Sequence, residues 1–291
     1  MLTEQLNRRD WMHLSLGVAG AGLATGFSGC SSPPADSPEQ PEPDRGYGNY
    51  EMGFQSYSLR HFVPIGDFLG QAKRLNLPYV EIWRGHLPEN AGEEEIVRFR
   101  DRLREAGIIV NAFGVERFTD EHEKNEAIFG LARNLGVSVL SANPSKRAFA
   151  SLEKLVDQYD IRIAIHNHGP EDERWRRPEW IMEAVDGLDP RIGACADLGH
   201  FIRAGVDPVS ALEILGSRVL GVHLKDFDAD ENDVVLGQGR LDVVKAFETF
   251  RKLGFLGPVS LEFEGDKEDP VPAMLECLDM VAEAISAAGS A

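Results

Sequence analysis

Four short apolar runs in the second half of the chain each end in His, Asp or Glu: 161–169 (IRIAIHNHG), 191–200 (RIGACADLGH), 219–228 (VLGVHLKDFD) and 258–265 (PVSLEFEG). If the four runs are neighbouring strands of one parallel sheet, His166, Asp197, His223 and Glu262 reach the same carboxyl-terminal edge. Two imidazoles and two carboxylates converging on a point make a divalent metal site. The mixed nitrogen and oxygen set suits Mn, Zn, Co or Fe, whereas Mg is more often held by oxygen alone. Polar residues recur two positions apart, as His166 with His168, His223 with Lys225 and Glu262 with Glu264. Residues two apart share one face of a strand. A charge buried between strand and helix would be costly, so these pairs are expected to line an open mouth. Each residue alone has a plainer reading: a hydrogen-bonded structural histidine, or Asp197 as the cap of a following helix. The joint occurrence on successive strands favours the metal.

Other residues of this kind surround the four. Glu81 is an acidic residue inside the apolar run YVEIW, which needs a partner and points to a base or substrate contact. Trp83 and Trp175 offer flat faces for a sugar ring, and either could equally be packing. His200 can hold a substrate hydroxyl or orient Asp197. Arg174, Arg176 and Arg177 read as a solvated loop.

Strand-like and helix-like periods alternate from Met52 onward, the pattern of a parallel sheet with crossover helices. The spacing predicts strands at 53–59, 79–83, 108–115 and 137–144 ahead of the four described, with helices at 65–75, 93–106, 121–135, 148–159, 179–185, 208–215, 243–253 and 271–287. Eight strand-helix units emerge, the count of a (β/α)8 barrel. Gly107, Gly136 and Gly254 follow helical runs, where a left-handed residue ends a helix. Pro178, Pro208 and Pro270 stand near helix starts, where a missing N–H does no harm. No glycine-rich phosphate fingerprint follows the first strand, so a closed barrel is preferred to an open doubly wound sheet.

The 291 residues, 43% of them hydrophobic, can fill one large α/β domain. With 48 acidic against 30 basic residues, a net charge of −18 opposes a polyanionic partner, and nucleic acid is set aside. Cys195 and Cys277 lack metal or disulfide spacing and read as small core residues. Residues 1–30 pair Arg8-Arg9 with an apolar run shorter than the roughly 20 residues a membrane span needs. NRRDWMHLSLG resembles a twin-arginine signal, and FSGC resembles a lipoprotein cleavage box, with Phe27 where Leu is usual and Cys30 as the lipidated first residue. The expectation is an exported protein, periplasmic or tethered to a membrane through Cys30. Residues 31–50 are rich in Pro and acidic residues and read as a linker, leaving 51–291 as the barrel.

In order and spacing, GFQSYSLR, YVEIW, LSANP, IHNHGPED, ADLGHF, VHLKDFD and LGQGRLD together resemble the xylose isomerase-like TIM-barrel superfamily. The match covers nearly the whole chain after the linker and includes the inosose dehydratase-like branch. The resemblance implies a metal held by His166, Asp197, His223 and Glu262, and a sugar or keto-sugar substrate. Epimerases of this family carry Glu where His166 stands, and use two metal-bound glutamates as opposed bases. Here only Glu262 remains of that pair, so His168, Lys225 or Glu81 must supply the second proton-moving group. The leading expectation is a metal-dependent sugar isomerase or epimerase. A dehydratase-like lyase on a keto-sugar or keto-glycoside, with Lys225 as acid, is the alternative, followed by a non-catalytic sugar-binding barrel. An endonuclease IV-like activity is disfavoured by the acidic surface and by second to fourth strands lacking further His ligands.

Overall fold

The structure, a computed structural model, describes residues 46–87 and 91–289. The leader, Cys30 and most of the linker lie outside the described residues. Eight parallel strands close into a barrel in the order β1-β10-β7-β6-β5-β4-β3-β2. They are β1 Glu51–Gln55, β2 Tyr79–Ile82, β3 Ile109–Glu116, β4 Val139–Ala142, β5 Arg162–His166, β6 Ile192–Asp197, β7 Val219–Leu224 and β10 Pro258–Leu261. Between β7 and the last barrel strand a small antiparallel hairpin is inserted, β8 Asp226–Phe227 and β9 Asp233–Val234.

The helices α1 Ile65–Leu75, α2 Glu93–Glu105, α3 His122–Leu135, α4 Phe149–Tyr159, α5 Pro178–Val185, α7 Pro208–Leu215, α8 Val243–Leu253 and α9 Val271–Ala288 agree with the periodicity to within a residue or so. In α8, Val243, Ala246, Phe247 and Phe250 are buried, the three-to-four spacing that turns one stripe toward the strands. The glycines after α2, α3 and α8 adopt φ of +76°, +78° and +65°, the left-handed closure expected of them.

Several strands end earlier than the sequence reading has them, and two of these ends shape the barrel mouth. The first strand stops at Gln55, and Ser56–Leu59 form a 3-10 turn. The hydroxyls of Ser56 and Ser58 accept the backbone N–H groups of Trp83 and Phe263 at 2.7 and 3.0 Å, so this segment bends across the barrel mouth. The stretch after Asp197 leaves the sheet as the short helix α6 Leu198–Arg203, which apolar patterning alone did not separate from the strand.

Most apolar side chains pack between strands and helices. Inside the barrel, Ala112, Val139, Ala164 and Cys195 make a small separate cluster. Small side chains fill the taper there, and the polar residues two positions further along β5 and β6 are lifted toward the mouth.

Candidate metal centre

Strand alternation carries the site. On β5 the interior face runs Ala164, His166, then His168 beyond the strand; on β6 it runs Cys195 then Asp197. In register, Asp197 pairs with His223, and His223 with Ser260. His166, Asp197, His223 and Glu262 thereby meet, each offering one ligand atom, all within 4.8 Å of one another and all buried. His166 Nε2 lies 3.0 Å from His223 Nδ1 and 3.4 Å from Asp197 Oδ2, and His223 Nδ1 lies 3.0 Å from Glu262 Oε2.

Each member is oriented from behind. Asp197 divides its two oxygens: Oδ1 accepts the His200 N–H at 2.7 Å as the cap of α6, while Oδ2 is buried without a hydrogen-bond partner. Helix cap and candidate ligand are one residue. Asn167 clamps the Asp197 backbone, donating to its carbonyl and accepting its N–H, both at 2.9 Å. Behind His223, Glu81 Oε2 lies 2.9 Å from Nε2, which turns Nδ1 toward the cluster. Glu81 is itself held by the hydroxyls of Ser141 and Ser260. Burial would raise the Glu81 pKa, but His223, the Ser141 hydroxyl and His166 more than offset it and hold it low. For His166, burial pushes the pKa down to about 3 despite the Asp197 contact, so the ring is neutral as a ligand must be. A buried carboxylate oxygen with no partner, two imidazole nitrogens turned the same way and a second carboxylate fit a divalent cation.

The cluster opens into a cavity of about 270 Å³ walled by Gln55, Tyr57, Trp83, His168, His200 and Glu264 as well as by His166 and Glu262. Trp83 is held edge-on by Tyr57 and His86. His168 Nδ1 faces Asn143 Nδ2 at 3.2 Å and Asp172 Oδ2 at 3.6 Å. Burial opposes the Asp172 charge, yet His168 and the backbone N–H groups of Arg174 and Trp175 hold its pKa well below the usual carboxylate range.

Three assignments change. Trp175 is fully buried, donates from Nε1 to the Pro144 carbonyl and packs on Phe149, so it is core and not a sugar platform. Glu81 stands behind His223 and is absent from the cavity wall, which makes it an orienting group rather than a base facing substrate. Lys225, 1% exposed, sits among Glu262, Glu264 and Asp233 instead of lining the cavity. Burial disfavours its charge, but the Glu262, Asp197, Glu264 and Asp233 carboxylates overcome this and raise its pKa. It holds the two glutamates in place. Arg176 reaches the Pro170 carbonyl and the Trp180 ring in an exposed loop. Asp172 and Asn143 were missed; the four-residue spacing of His168 and Asp172 in IHNHGPED was the available signal.

Comparison with known proteins finds similar chains and similar folds. The chain is 28% identical to 3-oxo-isoapionate decarboxylase of Pectobacterium atrosepticum over 104 residues, covering 33% of this chain and only 36% of that protein. The solved structure of an L-ribulose 3-epimerase matches with a TM-score of 0.67 at 14% identity, over 82% of this chain and 95% of that one. The IOLI protein, crystallised with a bound zinc atom, matches with a TM-score of 0.68 at 19% identity, over 83% and 100% of the two chains. At such identities the two structures establish the fold. The family model described as xylose isomerase-like TIM barrel matches residues 69–283, and the chain belongs to that family.

Proposed function

We propose that this protein is a divalent-metal enzyme that removes a proton from the carbon next to a carbonyl of a sugar, with isomerisation or epimerisation as the outcome. The observation that carries the reading is the buried, partnerless Asp197 Oδ2, turned with His166 Nε2, His223 Nδ1 and Glu262 toward one point beside an open cavity. Two nitrogen donors favour Mn, Zn, Co or Fe over Mg. Such a cation, when bound, polarises the substrate carbonyl and stabilises the negative charge that develops on its oxygen.

The chain's own groups do the rest. Glu262 and His168 both reach the cavity and are the proton-moving pair. Lys225 fixes Glu262 and Glu264, while Asn143 and Asp172 fix the His168 ring. Trp83 and Tyr57 supply an apolar wall for the carbon face of a sugar, and His200 is placed to bond a hydroxyl.

A second reading, elimination by a lyase, is favoured by one observation: His166 stands where epimerases of this family carry a second glutamate. The decarboxylase relative is compatible with either, because a 3-oxo acid that loses carbon dioxide leaves the same enolate that proton abstraction gives. Incubation with keto-sugars in deuterated water tests the shared step. Metal-dependent deuterium uptake beside the carbonyl, lost in Glu262→Gln, supports it; no uptake at any carbon overturns it. The product then separates isomerase from lyase. The Arg8-Arg9 leader and Cys30 support, in the same proposal, export from the cytoplasm with a lipid tether, to be checked by cell fractionation and by labelling with a radioactive fatty acid.

A further inference from the structure

A second open cavity, of about 450 Å³, lies on the far side of His200 and Glu264, which wall both spaces. The inner cavity, at about 270 Å³, falls below the roughly 300–1,000 Å³ usual for small-molecule sites and suits one sugar ring. The outer one is built by the β8–β9 hairpin: Phe227, Glu231, Asn232 and Asp233 face Arg203 of α6 across it.

This wall is preformed. The Asp226 carboxylate gathers the backbone N–H groups of Gly237, Gly239, Arg240 and Leu241 at 2.8–3.0 Å, folding LGQGRLD around itself and bracing the hairpin. A Cβ on Gly239 would come within 2.3 Å of Asp226 Oδ1, so only glycine fits there. Across the turn, Asp228 Oδ1 accepts the N–H groups of Asp230 and Asn232 at 2.8 and 2.9 Å. Phe227 lies under the Arg203 guanidinium and beside the His200 ring.

We propose that the outer cavity is a second sugar subsite, and that the natural substrate is a neutral two-ring glycoside whose reacting ring occupies the inner cavity. This deepens the function proposed above and rests on it for which ring reacts. Three observations carry it. First, the two cavities are adjacent, with His200 and Glu264 walling both, so the rings of one glycoside reach the two spaces from either side of that pair. Second, Asp233, which lines the outer wall, has a side chain only 9% exposed and a buried Oδ1 with no hydrogen-bond partner. Burial pushes its carboxyl up to about 7 against the pull of Lys225, so near neutrality it can donate as well as accept.

Third, the cations around both spaces are already matched by carboxylates. Arg203 faces Glu171 at 3.2 Å and Glu231 at 3.8 Å, Arg60 faces Glu264 at 3.7 Å, and Lys225 lies among Glu262, Glu264 and Asp233. A phosphate or uronate in the outer cavity meets carboxylates beside an Arg203 that is already paired, and the net charge of −18 adds to the repulsion. Hydroxyl groups meet acceptors, an amide and an apolar ring.

Calorimetry on the metal-loaded full chain tests this with a panel of monosaccharides, their 6-phosphates, and neutral disaccharides that contain the same rings, including cellobiose, lactose, maltose and sucrose. The expected result is a disaccharide that binds at least about tenfold tighter than its own component rings, with every phosphate weaker than its parent sugar. Asn232→Trp, which fills the outer cavity, brings that ratio to about one; should it fail to fold, Asp233→Ala, which removes the polar group from that wall, is read by the same ratio. The inference is overturned if no disaccharide in the panel exceeds its component rings, if a sugar phosphate binds best, or if the ratio survives in the folded variant. A disaccharide preference without deuterium exchange would sink the catalytic reading and leave the subsite standing.

Discussion

Glu81 gives the sharpest test of how the barrel prepares its metal site. Its Oε2 accepts from His223 Nε2 at 2.9 Å and from the Ser260 hydroxyl at 3.0 Å, and Ser141 bonds its other oxygen. Glu81→Gln keeps the volume and one acceptor for the imidazole N–H but removes the charge, and one serine must turn to accept from the new amide. Only the charge assistance is lost, so metal affinity should fall by about tenfold, ~1.4 kcal/mol. Glu81→Ala also strands the His223 N–H in a buried space and frees the ring to turn. Affinity should then fall by about a hundredfold, and the fold should lose ~2–3 kcal/mol from the unmet donors. Competition against a chromophoric chelator reads the affinity, and thermal melts of the metal-free chains read the stability. If both variants bind metal like the parent while His223→Ala does not, Glu81 is not an orienting group. Turnover lost with metal affinity intact would restore it as a base.

Other outcomes follow from the same geometry. Metal supplied at about a hundred times its Kd should stabilise the fold by ~2.7 kcal/mol, roughly 5–10 °C in Tm, and a chelator should reverse this; Asp197→Asn should show neither change. Trp175→Ala should cost about 3–5 kcal/mol in denaturant unfolding with metal content unchanged, because that ring fills core and not cavity. Asp226→Ala removes the acceptor for four backbone N–H groups and should cost at least ~2 kcal/mol, with faster amide exchange concentrated at residues 237–241. His86 carries a pH signature: burial lowers its pKa to about 4, opposed by the Leu59 carbonyl. The unfolded chain therefore takes up this proton first, near pH 6.5. Stability from this group is complete above that value and declines as pH falls toward 4, by about 3 kcal/mol in all, a slope that His86→Gln should flatten in pH-dependent urea melts.

The sequence carried the barrel because its signals were local. Strand runs, helical stripes and glycine stops each occupy about ten residues, and the order of eight such units leaves few ways to close a sheet. The convergence of His166, Asp197, His223 and Glu262 was legible for the same reason: a two-residue period fixes which face a side chain takes, and consecutive parallel strands fix which edge it reaches. What was not legible is everything decided by distance across the barrel. Glu81 and His223 are 142 residues apart, and nothing in YVEIW tells whether its glutamate meets a substrate or an imidazole. Lys225 was assigned to the cavity because it shares a face with His223, but three carboxylates from β9 and the segment after β10 surround it, and Asp233 of β9 had no assigned position at the site.

Trp175 and Asp226 show the same limit from opposite sides. A tryptophan in a polar loop reads as exposed, yet Trp175 is drawn inward because the Pro144 carbonyl satisfies its indole N–H, which removes the cost of burying it. An aspartate after a lysine reads as one more acid, yet Asp226 collects four N–H groups from a loop that begins eleven residues later. That loop braces the hairpin beside the cavity, so the device that decides how large a substrate fits was written as an unremarked acid and two glycines. A homologous barrel lacking the Asp226 anchor should therefore keep its metal and its inner cavity while losing the outer wall, and with it any preference for a second ring.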